Sequence, residues 1–67
     1  MKYKVQITAS DSGRVGKIIE VNAEGEETVL CTERASTFKN LSRKLRKTGF
    51  IPTNVVLKKR GVTIFIS

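Results

Sequence analysis

The chain predicts an α+β fold: an antiparallel sheet in the order β-β-β-α-β-β, with a single amphipathic helix packed on one face. Three observations carry this. Residues 1–10 alternate apolar and polar without a break, the period of a half-buried strand. Turn chemistry recurs at Asp11-Ser12-Gly13, Ala23-Glu24-Gly25-Glu26 and Arg60-Gly61, and it cuts much of the remainder into short extended segments. Between them Phe38, Leu41 and Leu45 recur at spacings of three and four, which is the apolar stripe of one helix. A length of 67 residues admits one domain, 1–67, near the lower limit for folding alone, burying about 60% of its unfolded surface.

The first strand, 1–10, sets Met1, Tyr3, Val5, Ile7 and Ala9 on one face and Lys2, Lys4, Gln6, Thr8 and Ser10 on the other. Asp11-Ser12-Gly13 turns the chain, because Asp and Ser bond their own backbone and Gly tolerates positive φ. Gly13-Arg14-Val15-Gly16-Lys17 does not match a nucleotide phosphate loop, which needs four residues between its glycines and a Ser or Thr after the lysine. It reads as a flexible bend with a glycine bulge, from which Arg14 and Lys17 could touch phosphate. The second strand, 17–22, has Ile19 and Val21 on one face and Ile18 on the other. The third, 27–32, alternates Val29 and Cys31 with Thr28 and Leu30. These three form an antiparallel meander.

The helix falls within Ser36–Gly49. Ser36 or Thr37 caps its start, and Gly49 supplies the left-handed residue that stops it. Arg46 and Lys47 meet the negative end of its dipole. Lys39, Arg43, Arg46 and Lys47 line up at i, i+4, i+7 and i+8 opposite the apolar stripe, with Lys44 to one side. Phe50-Ile51-Pro52 then turns the chain back, since Pro52 cannot continue a helix. Residues 54–59 and 62–67 form a closing hairpin over Arg60-Gly61. A two-residue loop pairs Leu57 with Ile64 and Val55 with Ile66 but asks Arg60 for positive φ; a three-residue loop with Gly61 as bulge residue suits the turn better and shifts the pairing by one. We favour the three-residue loop. Either register leaves Lys58, Lys59 and Arg60 at or beside the tip.

The charge is uneven. Residues 1–33 hold all six acids and only Lys2, Lys4, Arg14 and Lys17 among the cations. Residues 34–67 hold the other nine of the thirteen cations and no acid, and the net charge is +7. An acid-free basic half predicts a polyanion as partner. The helix accepts like-charge repulsion where i, i+4 acids would have stabilised it, which suggests that its cations are kept for a ligand.

Enzyme chemistry is not argued by these residues. There is no histidine, so the commonest general base and metal ligand is missing. Cys31 has no activating partner and sits in a strand pattern, as a packed, inert thiol does. Glu24, Glu26 and Glu27 do not have the spacing of a calcium loop. No cofactor or metal is expected. A single cysteine, no apolar run long enough to span a membrane and no leader pattern place the chain in a reducing, cytoplasmic compartment, at a nucleoid or nucleus if bound to DNA.

The sequence therefore predicts a small non-enzymatic regulator that binds nucleic acid, duplex DNA ahead of RNA or single strands because few aromatics stand beside the cations. Lys39, Arg43, Lys44, Arg46, Lys47, Lys58, Lys59 and Arg60 are the candidate contacts, with Arg43 or Arg46 able to reach guanine edges. The alternative is a protein-interaction module docking on an acidic protein surface. A homodimer is a further option for so small a core.

Overall fold

A computed structural model describes residues 2–65 and shows β1 (Lys2–Ser10), β2 (Gly13–Val21), β3 (Glu27–Ala35), α1 (Phe38–Lys47) and β4 (Gly61–Phe65). Met1, Ile66 and Ser67, expected at the ends of the first and last strands, lie outside the described residues, as does the side chain of Phe65. The four strands form one antiparallel sheet in the order β3-β2-β1-β4. The fold is thus α+β, with one helix against an antiparallel sheet. The chain leaves one edge of the sheet at β3 and returns at the other edge as β4, so α1 and residues 48–60 cross a single face.

That covered face follows from the alternation of β1. Val5 is paired with Ile18 on one side and Val62 on the other, and Tyr3 with Ile64. Val5, Ile18 and Ile64 bury against Leu41 and Leu45 of the helix and against Ile51 and Leu57 from the segment after it. Leu41, Leu45 and Ile18 are fully enclosed. The helix can come this close because position 16 has no side chain. Gly16 lies under it, and a Cβ there would meet Leu45 Cδ1 at 2.9 Å and both Leu41 Cδ atoms at 3.3 Å.

The helix begins where its sequence says. Thr37 is the N-cap, extended at φ −131° and ψ 157°, and its hydroxyl accepts from the Asn40 N–H at 3.2 Å. Gly49 follows the last turn with φ 84°.

Three elements differ from expectation, each for a physical reason. Gly13–Gly16 is neither a bend nor a phosphate loop. It is the first half of β2, with Arg14 opposite Ala9, Val15 opposite Thr8 and Gly16 opposite Ile7. A turn at Asp11-Ser12 suffices, and the long alternation of β1 extends its partner. In β3, Val29 and Cys31 do not share a face. The register slips between Ile18 and Ile19, pairing them with Cys31 and Val29 and leaving Leu30 as the extra residue of a β-bulge. Cys31 and Leu30 pack on the core, whereas Val29 turns to the open face and is 54% exposed.

The third difference is the closing hairpin, whose first strand does not form. Residues 55–58 have no regular structure. Gly61 donates to the Lys58 carbonyl at 2.8 Å, closing a turn, and β4 then pairs with β1. A hairpin of two strands alone is marginal, whereas the free edge of β1 offers a long alternating partner. Leu57 and Ile64 still meet in the core, but without pairing as neighbouring strands. Gly61 holds φ 96° with its Cα against the β1 backbone, so close that a Cβ would strike the Val5 carbonyl.

Among the described residues no helix covers the opposite face of the sheet. Ile19 and Val21 point that way yet are buried. Lys4 is the cross-strand partner of Ile19, and Glu27 that of Val21. The two join in an ion pair at 2.9 Å, so their aliphatic stems run across β2 over those apolar side chains.

Two predictions test this packing. Leu45→Ala should cost about 2–5 kcal/mol, read as a clear fall in Tm by circular dichroism; a melt within a degree or two of the parent would show that the stripe does not carry the core. Gly16→Val should cost about 1–3 kcal/mol by overpacking under the helix. Equal or greater stability in denaturant would mean that the helix is not seated at this position.

Candidate nucleic-acid interface

At about 100° per residue, Lys39, Arg43 and Lys47 project from the side of α1 away from Leu41 and Leu45. All three are exposed, and none has a bonded partner among the described residues. No acidic residue stands in the first turn of the helix, and Lys44, Arg46 and Lys47 fill the last turn. The last-turn cations oppose the partial negative charge of the helix C-terminus, which offsets part of their mutual repulsion.

The two cations that flank this stripe are committed elsewhere. Arg46 is partly buried, and its guanidinium donates to the Val55 carbonyl through Nη2 and to the Pro52 carbonyl through Nη1 at 3.5 Å. It ties residues 52–55 to the helix and takes carbonyl groups that a strand would need for its ladder. On the other flank Lys44 Nζ donates to the Arg34 carbonyl at 2.7 Å, occupying an acceptor of β3, an edge strand of the sheet. The eight candidate cations therefore do not form one surface. Three stand free on the helix, two brace the fold, and Lys58, Lys59 and Arg60 are exposed on the turn before β4.

The turn cations are themselves divided. Arg60 lines an open hollow together with Lys4, Gln6, Gly61 and Thr63. By their register Lys4, Gln6, Gly61 and Thr63 lie on the open face of the sheet, while Val5 and Val62, which complete the lining, belong to the covered face. Arg60 thus borders the surface opposite the helix. Sequence spacing could not show this, because it depends on β4 pairing with β1.

Four of the six acids cluster at one end of the sheet. Glu20, Glu24, Glu26 and Glu27 lie at or next to the Asn22–Glu26 turn, where the Asn22 side-chain carbonyl accepts from the Glu24 and Glu26 N–H groups at 2.9 and 3.0 Å. Arg14 and Arg34 sit at the far end of the sheet, opposite Ala35 and Val15, where Asp11 and Glu33 also lie.

Glu26 accepts from Asn22 and Glu27 from Lys4, and among the described residues no three His, Cys, Asp or Glu side chains converge as metal ligands. Burial pushes the Cys31 thiol above its ordinary range, and the Glu33 carboxylate adds to the shift, so at neutral pH it is a poor nucleophile. Phe38 packs on the core, and Tyr3 meets Phe50 edge-on with ring centroids 5.9 Å apart. No helix among the described residues is long and apolar enough to cross a membrane.

Removing the Arg46 brace should loosen the segment that carries the turn cations. For Arg46→Met we expect local opening easier by about 1.5–3 kcal/mol, the usual worth of hydrogen bonds from a charged donor. Trypsin cleavage after Lys58, Lys59 or Arg60, measured well below Tm, should quicken accordingly. Unchanged cleavage would show that the segment holds its place without Arg46. No protein-family model, no curated protein and no solved structure matches the chain.

Proposed function

We propose that the chain is a small non-enzymatic nucleic-acid-binding protein that grips duplex DNA through the free stripe of α1. The observation that supports this most is the set Lys39, Arg43 and Lys47: three exposed cations on one stripe, with no carboxylate bonded to them among the described residues, in a half of the chain that holds no acid. Phosphate contacts from such a stripe fix position on the duplex. Arg43 lies near the middle of the stripe and is the side chain suited to a bidentate contact with guanine if the helix enters a major groove. Arg46, the other candidate for that role, is held by the loop carbonyls. Lys58 and Lys59 reach flanking phosphates from the turn. A duplex is favoured over single strands because the described aromatic rings are packed rather than offered as stacking platforms.

The stripe and turn together make about three to five phosphate contacts, which sets the slope of log K against log salt near about −3 to −4.5 for duplex DNA. Arg43→Ala with Lys47→Ala should make that slope shallower by about two units without lowering Tm, since both side chains project into solvent. Gel shifts with an unrelated competitor duplex complete the test. Steady loss of binding with salt and with competitor supports the proposal. A flat salt dependence, or a tight complex with an acidic protein that excess duplex cannot displace, would assign the stripe to a protein partner instead.

A further inference from the structure

We infer that the open face of the sheet is a second, independent phosphate-binding surface, so that one molecule bridges two duplexes; the inference rests on the helix reading above. Across β3, β2, β1 and β4 the register sets Thr32, Lys17, Gln6 and Gly61 in one row on this face. Lys4 and Thr63 follow in the next row. Lys17, Gln6, Thr32 and Thr63 are exposed. Beside Gly61 the row ends in an open hollow of about 360 Å³ bordered by Lys4, Arg60 and Thr63. Lysine, arginine, amide and hydroxyl groups around such a depression are the donors that phosphate oxygens accept from.

The charge on this face favours the same ligand. Among the described strand residues its one carboxylate is Glu27, already paired with Lys4, whereas Lys17, Arg34 and Arg60 stand exposed with no bonded partner among those residues. Glu20 and Glu33 pair with Tyr3 and Gly16 and so belong to the covered face. Its apolar surface is too small to call for a protein partner, because Ile19 and Val21 are already buried beneath the Lys4–Glu27 pair and Val29 is the one large hydrophobic side chain exposed there among the described strand residues.

Geometry makes the two surfaces separate sites. Leu41 and Leu45 face the sheet, so the helix stripe looks away from it, and the open face looks the other way. A straight duplex lying on the stripe cannot also lie on the sheet. Two separate cationic surfaces on so small a body therefore engage two segments of nucleic acid.

The test is a capture experiment with the whole 67-residue chain. One biotinylated duplex is held on beads, and a labelled duplex of unrelated sequence is offered in solution. Capture of the labelled duplex should rise and then fall as protein is added, since excess protein saturates each duplex singly. Lys17→Ser with Arg60→Ser should cut capture about tenfold through lost phosphate contacts while the gel shift of a single duplex changes by less than about threefold. Both positions are exposed, and an unchanged Tm confirms that the variant folds. If the parent protein binds the bead-held duplex but captures no second one at any concentration, the open face is not a site and the helix reading stands. If the double variant captures as well as the parent, bridging comes from self-association through another surface, and the assignment fails. If the parent binds neither duplex, the helix reading itself is overturned, and this inference with it.

Discussion

The seating of α1 over Gly16 is the constraint on which the rest depends. A ten-residue helix has little stability of its own, and its cations lower that further. What holds it is the burial of Leu41 and Leu45 against Ile18 and Val5, which requires the backbone of β2 to come close beneath it. A Cβ at position 16 would crowd the methyl ends of both leucines and force them to shift. Once the helix is seated, its angular pattern is set. Lys39, Arg43 and Lys47 must face outward, while Lys44 and Arg46 fall on the flanks, within reach of the Arg34 carbonyl on one side and the Pro52 and Val55 carbonyls on the other. The split between bracing and free cations is thus a consequence of one packing contact.

Much of the fold was legible because local patterns were long and mutually consistent. Ten alternating residues could hardly be anything but a strand. Phe38, Leu41 and Leu45, with a Thr cap before them and Gly49 after them, could hardly be anything but a helix. What failed to show were features decided by tertiary competition. Residues 54–59 carry enough apolar side chains to suggest a strand, but Arg46 takes two carbonyls nearby, and β1 outbids them as a partner for β4. The bulge at Leu30 has no composition signature, yet it sends Val29 and Cys31 to opposite faces. Gly13 and Gly16 invited a reading as a bend, whereas Gly16 is needed in an extended strand for its missing side chain.

For the candidate site the residue types were legible and their grouping was not. Eight cations stood out from the acid-free half of the chain. Pairing along the strands was needed to show that Arg60 borders the face where Lys17 lies, and hydrogen bonding was needed to remove Arg46 and Lys44 from the free set. Lys17 attracted notice only as part of a glycine-rich stretch, and its cross-strand neighbours Gln6 and Thr32 attracted none. A cation's role is visible in sequence when its neighbours are helical and local. It is hidden when they come from other strands.

The strand order also dictates how the molecule comes apart. β1, β2 and β3 are joined by short turns, so their pairing closes small loops and forms early. Pairing Gln6 with Gly61 instead closes nearly the whole chain, the contact with the largest entropic cost of closure. β4 contributes only five residues to the sheet and is fed by a segment without regular structure. It is therefore the element that docks last in folding and detaches first in partial unfolding. When it detaches, the edge of β1 is bared and Gly61 leaves the row it shares with Gln6 and Lys17. The hollow on the open face therefore exists only while the last-formed strand is in place, whereas the helix stripe persists as long as the meander does.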